Sequence, residues 1–195
     1  MRDAVTVFGV GAVFGESALW HGGALWFGTI DNGEVLPAGR FNRCARGKCG
    51  DTGLPPVAIT NGPTVTDERR TLYPVETLGK TIWRVAINDD ASLGSFERHV
   101  VIKNGAGNPD GAMIDAEGCL WTGIYGGWGA RCYNPAERLV TSVRFPVANG
   151  TKMAFGGPGL RTACATTARK GLAAVALHAQ PHAGIFSRSI QGLPS

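Results

Sequence analysis

One pattern returns four times along the chain and restricts its fold more than anything else in it. A strand-like run with leucine followed by an aromatic residue, preceded by a polar turn, occurs at Leu25-Trp26 (HGGALWFGT), Leu72-Tyr73 (DERRTLYPVE) and Leu120-Trp121 (AEGCLWTGI). A worn fourth copy lies at Ala163-Cys164 (GLRTACATT), and the steps between copies are 47, 48 and 43 residues. A period of roughly 40–50 residues filled by strands is the signature of β-propeller blades. Each such unit covers its sheet faces with its neighbours, so it has no stability alone. The expected fold class is all-β, a shortened β-propeller of about four blades, with residues 1–195 as a single propeller-like domain.

Composition supports short elements and excludes other classes. Twenty-nine glycines and eleven prolines in 195 residues interrupt any long helix. With 44% apolar and only 17% charged residues, the chain has core formers to bury and is not a disordered segment. TIWRVAI (81–87), HVVIK (99–103) and RLVTSVRFPV (138–147) read as strands, AGIFSRSI reads as a last strand, and only residues 171–180 read as helix, ended by Pro181. No apolar run is long enough to span a membrane. The first residues lack the apolar segment and cleavage site of a signal peptide, which points to the cytoplasm. A net charge of +4 without clustered Lys and Arg argues against nucleic acid as a partner.

The five cysteines, Cys44, Cys49, Cys119, Cys132 and Cys164, form no CxxC pair and are read as reduced thiols. Cys44 and Cys49 could pair or bind a metal, but four intervening residues and no neighbouring histidine favour free thiols.

A polar residue recurs at one phase ahead of the repeated pair. Glu16 precedes Leu25 by nine residues, Asn61 precedes Leu72 by eleven, and Asp110 precedes Leu120 by ten. The innermost strand of a propeller blade lines the central channel, so equivalent positions converge on its axis. Two carboxylates and one amide oxygen meeting there make a hard-oxygen site for one divalent metal ion: Ca²⁺, Mg²⁺ or Mn²⁺, with Zn²⁺ as a further candidate. Asn61-Gly62 and Asp110-Gly111 are also turn dipeptides, so any one of them alone has a structural explanation. The fourth copy offers Lys152 or Met153 at this phase, neither a hard ligand. His21, His99, His178 and His182 miss the phase and are read as surface or loop residues. Trp20, Trp26, Trp83 and Trp121 are read as core. GxSxG, HExxH and phosphate-loop motifs are absent.

The strings GESALWHGGALWF, LWFGTIDNGE, ITNGPTVTDERRTLYPVETLGKTIWR, GNPDGAMIDAEGCLWTGIYGGWGARCYNP and MAFGGPGLRT resemble the SMP-30/gluconolactonase (regucalcin-like) family of sugar-lactone lactonases. The resemblance implies a six-bladed propeller holding calcium or zinc. Its ligands, the Glu of G-E-x-x-x-W, the Asn of N-G and the Asp of P-D-G, fall on Glu16, Asn61 and Asp110. It also implies a substrate-facing acid near Glu34, while Trp128 in the glycine-rich IYGGWGA loop is placed to stack on a sugar ring. The chain departs from the family by about two blades: GESALWHGGALWF runs straight into FGTIDNGE, skipping the stretch that would hold an R-F-N-D motif. Arg40-Phe41-Asn42 follows FGTIDNG, where the family motif precedes it, and is read as coincidence.

These readings lead to a metal-dependent hydrolase of sugar lactones. The ion would polarise the lactone carbonyl and Asp110 would act as general base, with Glu16 balancing charge and Asn61 lending a neutral oxygen. The alternative is a catalytically inactive cation-binding or protein-binding remnant of the same propeller. Open blade edges would allow two chains to pair as a homodimer.

Overall fold

In the computed structural model the described residues are 14–21, 24–31, 38–45, 48–66, 68, 70–180 and 185–189, with the backbone alone for 14–21, 24–31, 38 and 185–189. They build four antiparallel sheets in chain order, each a meander in which sequential strands pair. The first sheet holds β1 (Phe14–His21), β2 (Ala24–Asp31), β3 (Ala38–Ala45) and β4 (Lys48–Asp51). The second holds β5 (Thr60–Val65), β6 (Thr71–Glu76), β7 (Thr81–Ile87) and β8 (Leu93–Val101). The third holds β9 (Asn108–Ile114), β10 (Leu120–Tyr125), β11 (Gly129–Tyr133) and β12 (Leu139–Arg144). The fourth has three strands, β13 (Asn149–Gly156), β14 (Thr162–Ala168) and β15 (Ile185–Ser189), with helix α1 (Ala174–Ala179) between the last two. Neighbouring sheets meet through their first strands, β1 on β5, β5 on β9 and β9 on β13, as propeller blades do, and among the described residues they do not close into a ring. No helix among the described residues is long and apolar enough to cross a membrane.

The leucine–aromatic pair has a packing explanation. It lies on the second strand of each sheet, where successive side chains point to opposite faces. Leu72 joins Phe41, Leu54, Val57 and Val85 between the first and second sheets, whereas Tyr73 joins Val100, Leu120 and Ile124 between the second and third. Leu120 thus faces the preceding sheet, and Trp121 faces the following one with Ala130, Met153 and Ala163. Burying each of these large side chains contributes about 1.5–3 kcal/mol. In the fourth sheet Ala163 is buried but Cys164 is only partly so. Its aromatic counterpart would point toward a next sheet, and none follows among the described residues.

The abbreviated N-terminal region folds without a break. The join between GESALWHGGALWF and FGTIDNG falls inside β2, which pairs with β1 on one side and with β3 along its whole length on the other. Phe41 of the Arg40-Phe41-Asn42 string is core on β3, and Arg40 pairs with Asp51 at 2.7 Å.

Three expectations are corrected. Cys44 and Cys49 lie directly opposite each other across β3 and β4 and form a disulfide; Cys119, Cys132 and Cys164 are free. Antiparallel pairing turned the short spacing into an advantage, because residues directly opposite each other on paired strands share one face. His99 is buried at 5% exposure, its ring 4.9 Å from that of Tyr73 and its Nδ1 3.4 Å from Glu137 Oε1. Finally, β8 begins at Leu93 rather than His99, since Asp90 accepts from both the amide and hydroxyl of Ser92 and tightens the preceding turn. The added residues form an outer strand whose polar side chains hid its strand character.

Candidate functional site

The first strand of every sheet carries an irregularity at the same place. In β1, Glu16 pairs with Gly28 and Leu19 with Trp26, so three steps on β1 match two on β2. In β5, Asn61 pairs with Val75 and Thr64 with Tyr73, again three against two. In β9, Pro109 pairs with Ile124 and Ala112 with Thr122, which puts Asp110 inside the extra residue's span. In β13 the shift lies between Gly150 and Lys152. A one-residue bulge re-aims the side chain beside it and bends the strand. Glu16, Asn61 and Asp110 therefore occupy one backbone position in three adjacent sheets.

Glycines let these strands approach. A methyl group added to Gly62 would lie 2.7 Å from Gly111 Cα and 2.8 Å from Ala112 N. One added to Gly111 would lie 2.9 Å from Cβ, Cγ and Cδ of Lys152. The residue before each of these glycines is the predicted ligand, so Asn61 and Asp110 stand on backbones in van der Waals contact. Of Glu16 the structure describes the backbone position on β1, the strand beside β5.

The Asn61 amide nitrogen donates to Thr77 Oγ1 at 3.0 Å, which fixes the amide plane and turns its oxygen away from that threonine. Asp110 Oδ1 accepts from the Gly111 amide at 2.8 Å, and its backbone carbonyl accepts from Thr122 Oγ1 at 3.2 Å. Burial pushes the Tyr125 phenol above its usual value, and the Asp110 charge adds to the rise. Burial holds the Lys152 ammonium below its usual value, while the Asp110 carboxylate acts in the opposite direction. Lys152 is the neighbour that sequence reasoning misses, because it stands at this phase without being a hard ligand. The signal was a cation standing at the phase of three oxygen donors.

Of the two substrate-facing candidates, the structure describes Trp128. Trp128 lies in the turn between β10 and β11, 40% exposed, its amide donating to Ala148 O at 2.9 Å. It borders a groove with Arg131, Ser142 and Arg144 of β11 and β12, outward from Asp110 on β9. Glu34 falls outside the described residues.

Residues 12–169 match the profile of the SMP-30/Gluconolactonase/LRE-like region. The chain belongs to this family. It is 28% identical over 129 residues to a 6-deoxy-6-sulfogluconolactonase of Pseudomonas putida, covering 66% of this chain and 44% of that protein. It is 32% identical over 147 residues to regucalcin of Bos taurus, covering 71% and 48%. Among solved structures, a calcium-binding protein, regucalcin, from Agrobacterium tumefaciens superposes with a TM-score of 0.79 at 27% identity, over 89% of this chain and 59% of that one. The chain thus spans less than half the length of these two curated relatives.

Proposed function

We propose that the chain hydrolyses a sugar lactone to the aldonic acid with the help of one divalent metal ion at Glu16, Asn61 and Asp110. The observation that carries this reading is the recurrence of a bulge at those three residues on neighbouring first strands. The donor set suits the group: two carboxylates and an amide oxygen are hard ligands for Ca²⁺, Mg²⁺, Mn²⁺ or Zn²⁺. A cation bound there would supply Lewis-acid polarisation of the lactone carbonyl. Asp110 acts as general base, taking a proton from the attacking water and returning it to the ring oxygen as the ester bond opens. Glu16 balances charge, and Asn61 contributes a neutral oxygen oriented by Thr77. Residues 1–195 act in this reading as one propeller-like domain.

A second reading, a cation-binding or protein-binding propeller without turnover, is favoured by the skipped R-F-N-D stretch and by Lys152 beside Asp110. Acid release from gluconolactone, followed with a pH indicator with and without chelator, decides between them. Chelator-sensitive turnover that Asp110→Ala abolishes, together with weakened calcium binding in that variant, supports the enzyme. Calcium binding without turnover in the wild-type chain supports the second reading, and unchanged turnover in Asp110→Ala removes Asp110 from its role.

A further inference from the structure

Two cysteines thirteen positions apart in the chain meet beside the start of β10 in the third sheet. One sulfur each from Cys119 and Cys132 and one carboxylate oxygen of Asp115 lie within 4.8 Å of one another. Cys132 is on β11, 2% exposed, opposite Trp121 of β10; Cys119 immediately precedes β10 and is partly exposed. Side chains two residues apart on a strand share a face, so the register sends both sulfurs to the same side of the sheet. Asp115 is held from below by Trp121 Nε1 at 2.9 Å on Oδ2, and by the amides of Cys119 at 2.8 Å and Glu117 at 3.0 Å on Oδ1. Such outer contacts orient metal-bound carboxylates in metalloproteins.

We infer that Cys119, Cys132 and Asp115 form a binding site for a thiophilic divalent cation of the zinc class, separate from the hard-oxygen residues on the first strands. Two sulfurs and one oxygen are the donors that select zinc or cadmium over calcium or magnesium. Zn–S bonds of about 2.3 Å and Zn–O bonds of about 2.1 Å put tetrahedral ligands roughly 3.6–3.8 Å apart, so the group closes by no more than about 1 Å on binding. The partly exposed Cys119 leaves an entry path from solvent. A thiol binds the ion as the thiolate, so binding exchanges two S–H protons, released to buffer, for two metal–sulfur bonds, and it tightens with rising pH.

The full-length chain, without added thiol reductant so that Cys44–Cys49 stays linked, is titrated with cadmium in excess calcium. The sulfur-to-cadmium charge-transfer absorption is followed. The expected result is saturation at one equivalent, unchanged in Cys164→Ser. Cys119→Ser, at a partly exposed position compatible with folding, lowers the absorption by about half and weakens binding at least roughly tenfold. Absence of the band, a band unaffected by Cys119→Ser, or thiol counting that finds Cys119 and Cys132 already joined overturns the inference. None of these outcomes depends on lactone turnover.

Discussion

Gly62→Ala tests the contact on which the candidate site is built. The added methyl meets Gly111 Cα at 2.7 Å and Ala112 N at 2.8 Å, both backbone atoms that cannot swing aside. Gly62 does not have a left-handed φ, so the cost arises from that contact alone. Overpacking of this kind costs about 1–3 kcal/mol, and alanine returns about 0.4–1 kcal/mol by restricting the unfolded chain. A net loss of about 1–2 kcal/mol follows, or roughly 2–8 °C in Tm for a chain of this size. Gly50→Ala is the control: nothing lies within 4 Å of its added methyl, and the same entropic gain makes it neutral or slightly stabilising. Relief of the clash must move β5 from β9, and with it Asn61 from Asp110. Calcium binding by calorimetry should then weaken on the order of tenfold in Gly62→Ala and stay unchanged in Gly50→Ala. Thermal and urea denaturation give the stability half of the test. If Gly62→Ala is as stable as Gly50→Ala, the second and third sheets do not approach this closely and the argument for a shared site fails.

Other expectations follow from single environments. His99, buried beside Tyr73 with Glu137 and Arg84 as the charged groups acting on it, has its pKa lowered mainly by burial. The unfolded chain therefore binds the extra proton first, so stability is full above about pH 6.5 and falls as pH drops through that value toward the folded pKa. Urea titrations across that range should show this slope, and His99→Phe should flatten it. Lys152→Met removes a cation beside Asp110 and should tighten calcium binding by on the order of 1 kcal/mol, about fivefold; weaker binding would show the ammonium to be supporting the site. Cys44→Ser opens a loop with only four intervening residues, so its cost should not exceed about 2 kcal/mol in chemical denaturation.

The blades were legible because their cause is local and periodic. A leucine that must face one neighbour and an aromatic that must face the next leave a mark in every copy, and the mark decays at Cys164, where no further sheet follows among the described residues. Glu16, Asn61 and Asp110 were legible for the same reason, since one backbone position repeated in three sheets recurs at nearly one spacing. Register was not legible. It set Cys44 against Cys49, gathered Cys119 with Cys132 and Asp115, sent His99 inward against Tyr73 and laid Lys152 across Gly111. These are meetings between residues on different strands, and a chain's own order says little about which faces two strands will share. Periodic burial is written into the amino-acid sequence, whereas pairings across strands and sheets exist only once the backbone is folded.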